Sequence, residues 1–129
     1  MEEKHTILIP ITVTDDDIID IMEMAFIGSN YWLGDIKVVS KGKCKSKEDG
    51  YINILLKNGK LSISAPEDDA DNTYNYYPLT ISSILRGIGD YLKDYGDCIE
   101  KGGIDSGRLD VGDCDLILQY ALFGEQVYG

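Results

Sequence analysis

The chain is poor in several residue types at once. Its 129 residues contain one histidine, His5, two arginines, Arg86 and Arg108, three prolines and three cysteines. A lone histidine with no Ser, Cys or Asp motif around it gives no support to a catalytic triad or a Cys–His pair. Cys44, Cys98 and Cys114 are odd in number, far apart and without CxxC spacing. That speaks against a disulfide framework and a zinc site, and it fits a reducing compartment. No apolar run approaches the roughly 18 residues of a membrane span. Positive charge is also scarce: 12 Lys and Arg stand against 23 Asp and Glu, for a net charge of −11. Nucleic-acid binding depends on Lys and Arg neutralising phosphates, so neither nucleic acid nor an anionic membrane is an expected partner. Gly87-Ile88-Gly89 lacks the third glycine and the strand-to-helix turn of a dinucleotide fingerprint. The acidic runs Asp15-Asp16-Asp17 and Glu67-Asp68-Asp69-Ala70-Asp71 lack the ligand spacing of a calcium loop. No catalytic residue, metal or cofactor is expected from these patterns, and the chain does not read as an enzyme.

What is present describes one folded domain over residues 1–129. Hydrophobic residues make up 43% and charged residues 27%, and a chain of this size buries about two thirds of its unfolded surface. The start, Met1-Glu2-Glu3-Lys4-His5, is acidic where a secretion signal is basic, so a cytoplasmic protein is expected. The acidity reads either as attraction to a basic protein surface or simply as solubility.

Thr6–Val13 is β-branched and reads as a strand, with Pro10 placing it at an edge or a bulge. Thr14 caps an amphipathic helix over about 15–27, with three aspartates at its positive end and Gly28 as its stop. Tyr31–Val39 reads as a second strand, bent at Gly34-Asp35. Tyr51–Lys57 and Lys60–Ala65 flank Asn58-Gly59, the strongest short-range hairpin signal. Tyr74–Tyr77 adds a short strand. Thr80 caps a second helix with Ile81, Ile84, Leu85, Ile88, Leu92 and Tyr95 as its stripe. Gly87 and Gly89 inside it each cost about 1 kcal/mol relative to Ala, which implies close approach of another backbone. Residues 97–112 read as loop, and Asp113 caps a third helix, Cys114–Phe123, ended by Gly124. The order β-α-β-β-β-α-α predicts an α+β domain, with three helices mainly on one face of an antiparallel sheet of about four strands.

Asn30, Tyr31, Trp32 and the tyrosines around Tyr76 are candidate lining for a planar ligand, with Arg108 available to a phosphate. The alternative is a core tryptophan with strand tyrosines. The C-terminal helix is apolar nearly all round, so it needs cover on more than one side. Leu118, Leu122, Val127 and Tyr128 are left over, which predicts a homo-oligomer through this helix, with Gln119, next to Tyr120, hydrogen-bonded in a buried or interfacial setting; the alternative is a helix buried centrally within one subunit.

Two segments carry a resemblance. Gly28-Ser29-Asn30-Tyr31-Trp32 and the stretch from Asp113 through Gln119-Tyr120-Ala121-Leu122-Phe123-Gly124-Glu125 resemble a family of small proteins of phages and prophages of Firmicutes. The resemblance implies a phage accessory protein working in a bacterial host's cytoplasm. By analogy with small acidic phage proteins, it implies a counter-defence, anti-CRISPR-like inhibitor that binds a host protein with a basic surface. The alternative function is binding or sequestering of a small molecule such as a nucleotide signal.

Overall fold

Reciprocal capping boxes start all three long helices. In α1 (Asp15–Gly28), Thr14 accepts from the Asp17 amide while the Asp17 side chain accepts from the Thr14 amide. Thr80 and Ser83 do the same for α3 (Ile81–Asp94). Asp110 and Asp113 do so for α4 (Val111–Phe123). The third long helix therefore begins three residues earlier than its sequence suggests. Asp113 is the inner member of the box rather than the cap, because each acid satisfies an orphan amide of the other's turn. Gly124, in the left-handed conformation at φ 76°, ends α4 as expected.

The computed structural model describes residues 2–45, 50–66 and 74–129. The acidic run Glu67–Asp71 lies outside them. Between the long helices stand β1 (Ile36–Ser40), α2 (Tyr51–Leu56), β2 (Lys60–Pro66) and β3 (Tyr74–Leu79). Beyond α3 come β4 (Ile99–Glu100) and β5 (Gly103–Ile104), flanked by the 3-10 turns Gly96–Cys98 and Ser106–Arg108. The domain is α+β. Its main sheet is antiparallel in the order β1-β2-β3, and β4-β5 form a separate hairpin.

Several local expectations are corrected. Tyr51–Leu56 is helical, and Asn58-Gly59 is not a hairpin turn. Strand alternation would bury Ile52, Ile54 and Leu56, whereas the buried pair is the adjacent Ile54 and Leu55. Asn58 takes a positive φ of 63°. The Asn58 amide donates to Leu55 O at 3.1 Å and the Gly59 amide to Ile54 O at 2.8 Å. That pair of bonds is a Schellman helix stop, and it uses the same left-handed asparagine that a hairpin turn needs. The two-residue turn with both φ positive occurs instead at Lys101 (50°) and Gly102 (76°), between β4 and β5. It lies inside the stretch that reads as loop. Thr6–Val13 forms no strand. Only Thr12 joins a ladder, in a single parallel bridge to Gly103. The second strand starts at Ile36 rather than Tyr31, because residues 29–33 form a turn that begins at Ser29, the C-cap of α1.

Helix α4 runs between α1 and α3 and against β3. This placement explains its nearly all-round apolarity. Ile117, Leu118 and Ala121 are at most 1% exposed and Leu122 is 8% exposed within the single chain. The leftover surface expected at Leu118 and Leu122 is therefore absent. Of the expected patch only Val127 stays well exposed, and the premise for an oligomer through this helix goes with it. Two glycines let the helices close up. A Cβ on Gly28 would strike the Val111 carbonyl at the start of α4, and one on Gly87 would meet Ile117 O at 2.7 Å and Ala121 N at 2.8 Å. Gly28 is thus the last helical residue of α1 and a contact point, not a left-handed stop. Gly89 faces open space. The Arg86 guanidinium donates to Ala121 O at 2.6 Å, capping an orphan carbonyl at the negative end of α4.

Among the described residues no helix is long and apolar enough to cross a membrane.

Candidate functional site

Asp115 and Gln119 are the polar interruptions in the apolar run of α4, and their four-residue spacing puts them on one face. Both are buried, Asp115 at 8% and Gln119 at 1% exposure. Opposite them, the turn after α1 presents Ser29, Tyr31 and Trp32. Asp115 Oδ1 accepts from Ser29 Oγ at 2.8 Å, from Trp32 Nε1 at 2.7 Å and from Gln119 Nε2 at 3.2 Å. Asp115 Oδ2 accepts from Tyr31 Oη at 2.7 Å. Four neutral donors thus surround one carboxylate, and among the described residues no Lys or Arg pairs with it.

Gln119 carries the network to the chain's last residues. Its Oε1 accepts from the Val127 and Tyr128 amides, both at 2.8 Å, and its Nε2 also donates to Tyr128 O at 3.1 Å. Tyr128 lies flat against Trp32, with centroids 5.2 Å apart and planes 5° apart, and its hydroxyl donates to Pro66 O at 2.6 Å. Phe123 fills the remaining side against Trp32 and Tyr77. One polar hub therefore ties together the end of α1, the middle of α4, the tail and the end of β2. Among the described residues no buried side-chain nitrogen or oxygen lacks a partner, which is what a low-dielectric interior requires.

The arrangement limits the chemistry. Oδ1 takes three of these donors and Oδ2 one, so the four bonds of this carboxylate are all made within its own chain. The indole of Trp32 has its N–H bonded and one face stacked, so it is core and not pocket wall. The hub brings together Tyr31, Trp32 and Gln119 of the expected set. It leaves out Asn30, which is exposed, and Tyr76, whose ring sits 4.5 Å below the Lys37 ammonium on the sheet. Tyr120 lies half-buried on α4, its hydroxyl raised in pKa by burial and then by Asp94, Tyr95 and Asp90. The Arg108 guanidinium is engaged within the 3-10 turns, donating to Asp97 O in Gly96–Cys98 at 2.8 Å and pairing with Asp105 at 3.6 Å. Ser29 and Asp115 join the hub without a motif of their own; the sequence signal at Asp115 is a carboxylate in the middle of an apolar helix.

Comparison with protein-family models, with curated proteins and with solved structures finds no match to this chain.

The hub has a titratable reporter. Burial of the hydroxyl, then the Asp115 bond and charge, push Tyr31 from 10.0 up to about 12. A raised folded value means that the stability from this group is complete below pH 10 and is lost as pH rises toward 12. Tyr31 is expected to ionise with a midpoint well above 10.0 when its ring signals are followed by NMR against pH. In Asp115→Asn its midpoint moves down, and an unchanged midpoint contradicts the bond.

A second feature lies on the outside of α1. Asp15, Asp16, Asp20 and Glu23 are exposed, and the helix carries no basic residue. Among the described residues none of these carboxylates meets a Lys or Arg. Asp20 accepts from Ser106 Oγ at 3.0 Å. Asp20, Glu23, Met24, Ser106, Gly107 and Leu109 outline a shallow cleft of about 340 Å³. This face combines fixed negative charge with an apolar centre at Met24 and Leu109.

Proposed function

We propose that the protein is a non-enzymatic phage or prophage accessory protein, a counter-defence inhibitor that binds the basic surface of a host protein through the outer face of α1. The observation that carries this reading is the row of carboxylates at Asp15, Asp16, Asp20 and Glu23, held on a capped helix and, among the described residues, without cationic partners. Such a row steers association with a positive surface and gives it a strong salt dependence.

The small-molecule alternative gains less. A cleft of about 400 Å³ beside the tail is lined by Pro66, Tyr77, Leu122, Phe123, Glu125, Val127 and Tyr128. Among its described lining residues the one charge, Glu125, is negative, which disfavours a phosphate-bearing ligand.

The test is capture from a bacterial host lysate with immobilised wild type and with Asp16→Lys/Asp20→Lys/Glu23→Lys. The reading expects a partner retained by the wild type at low salt, released at high salt and absent from the variant. An empty wild-type column, or equal retention by a folded variant, overturns it.

A further inference from the structure

The tail beyond α4 is seated on the domain rather than built into it. Residues 125–129 belong to no helix or strand, and Gln119 holds their main chain. Its Oε1 accepts from the Tyr128 amide at 2.8 Å and its Nε2 donates to Tyr128 O at 3.1 Å. One residue of an antiparallel strand makes that same pair of bonds with its partner. Here a side chain only 1% exposed supplies them. The Val127 amide is a further donor to Oε1, at 2.8 Å. None of these three bonds uses a side chain of the tail. Main-chain bonds combined with a pocket for one side chain are a general way of recognising an extended peptide.

The pocket is aromatic. Trp32 takes the Tyr128 ring face to face at 5.2 Å, and Phe123 meets it at 5.9 Å and 63°. Pro66 O takes the proton of the hydroxyl at 2.6 Å. That last bond selects among aromatic side chains. Phenylalanine leaves it unmade, and phosphotyrosine sets an anion against a carbonyl oxygen.

The tail fills this seat incompletely. Glu125 and Gln126 are exposed and Val127 is 45% exposed. The cleft of about 400 Å³ continues beside it, walled by Tyr77, Leu122 and Phe123 as well as Val127. A segment with a larger apolar residue in the place of Val127 extends into that space and buries surface that the tail leaves wet. A tail with so few buried residues opens at a fraction of the free energy of global unfolding. Trp32 is core only while Tyr128 lies on it.

We propose that this seat is a peptide-recognition site, shut in the free chain by its own tail, and that it takes an extended partner segment with a large apolar residue directly before an unphosphorylated tyrosine. The site uses none of the α1 carboxylates, so it stands or falls independently of them.

Capped peptides of residues 125–129 carrying Val127→Phe test the proposal on the full-length, isotope-labelled chain, with its Trp32 indole and Tyr128 ring signals followed by NMR. The attached tail competes at an effective concentration of about 1 mM, as a short flexible linker sets it. Peptide raised through that range is expected to move the wild-type Tyr128 ring signals to their free positions. Tyr128→Ala vacates the ring seat and binds the same peptide about tenfold more tightly or better. On that variant, Tyr128→Phe in the peptide weakens binding about fivefold. N-methylation of the peptide's tyrosine amide weakens it about tenfold or more, and phosphorylation of the tyrosine abolishes it. Circular dichroism checks that Tyr128→Ala is folded, and the wild-type titration decides the matter if it is not. Tyr128 signals that stay in place overturn the proposal. Equal affinities of the two chains, or of the plain and phosphorylated peptides, do the same. Wild-type Tyr128 signals that move to free positions on dilution assign the seat to the tail of a second copy, which also overturns it.

Discussion

Asp115→Ala is expected to lower stability by about 3–5 kcal/mol. The substitution leaves Ser29 Oγ, Trp32 Nε1 and Gln119 Nε2 without their shared acceptor, and each buried unpaired donor costs about 1–3 kcal/mol. Ser29 can turn its hydroxyl elsewhere, which keeps the total below the simple sum. Against a total stability of about 5–15 kcal/mol the loss is large. Asp115→Asn is milder, about 1–2 kcal/mol. Its amide oxygen can keep the Oδ1 bonds, and the Tyr31 hydroxyl can accept from the new amide instead of donating. Urea unfolding followed by circular dichroism reads both, as a shift of midpoint at constant slope. A loss under 1 kcal/mol for Asp115→Ala would falsify the account of the hub.

Two glycines two residues apart are expected to respond with opposite signs. Gly87→Ala places a methyl 2.7 Å from Ile117 O and 2.8 Å from Ala121 N, both backbone atoms of the central helix. α3 must then move off α4, and overpacking of this kind costs about 1–3 kcal/mol even after the helix-propensity gain of alanine. Gly89→Ala meets nothing within 4 Å and should stabilise by about 0.5–1 kcal/mol. The same unfolding measurement decides it. Equal effects of the two substitutions contradict the close approach of α3 and α4.

These cases show which parts of the structure the sequence carried. The helices were legible where a cap and an apolar stripe agreed, as at Thr14 and Thr80. Gly87 and Gly89 carry the same propensity cost, yet only Gly87 marks a helix contact and Gly89 faces open space; the all-round apolarity of α4 fits its central place, covered by α1, α3 and the sheet. The errors fell where one local device serves two structures. A left-handed asparagine before glycine ends α2 as readily as it turns a hairpin, and the short apolar run 51–56 fits either period. Thr6–Val13 has strand chemistry, but the described fold gives it a single bridge, at Thr12. For the candidate site, the GSNYW and QYALFGE segments were visible as patterns, yet what joins them is Asp115, which reads in sequence as one more acid among 23. Its role depends on a contact 83 to 86 residues away along the chain, and no local pattern contains that.

These two segments meet in a closed internal hub. The single tryptophan gives one indole N–H signal, and its exchange with solvent reports directly on that closure. With Trp32 Nε1 bonded to Asp115 at 2.7 Å and the residue 4% exposed, the signal should persist in deuterated buffer far longer than that of a free indole. Asp115→Asn should retain part of that protection, and removal of residues 125–129 should lose most of it, because Tyr128 no longer covers the ring. An indole proton that exchanges at the free rate in the intact chain would mean an open Trp32, and the segments would then form a pocket instead of a core.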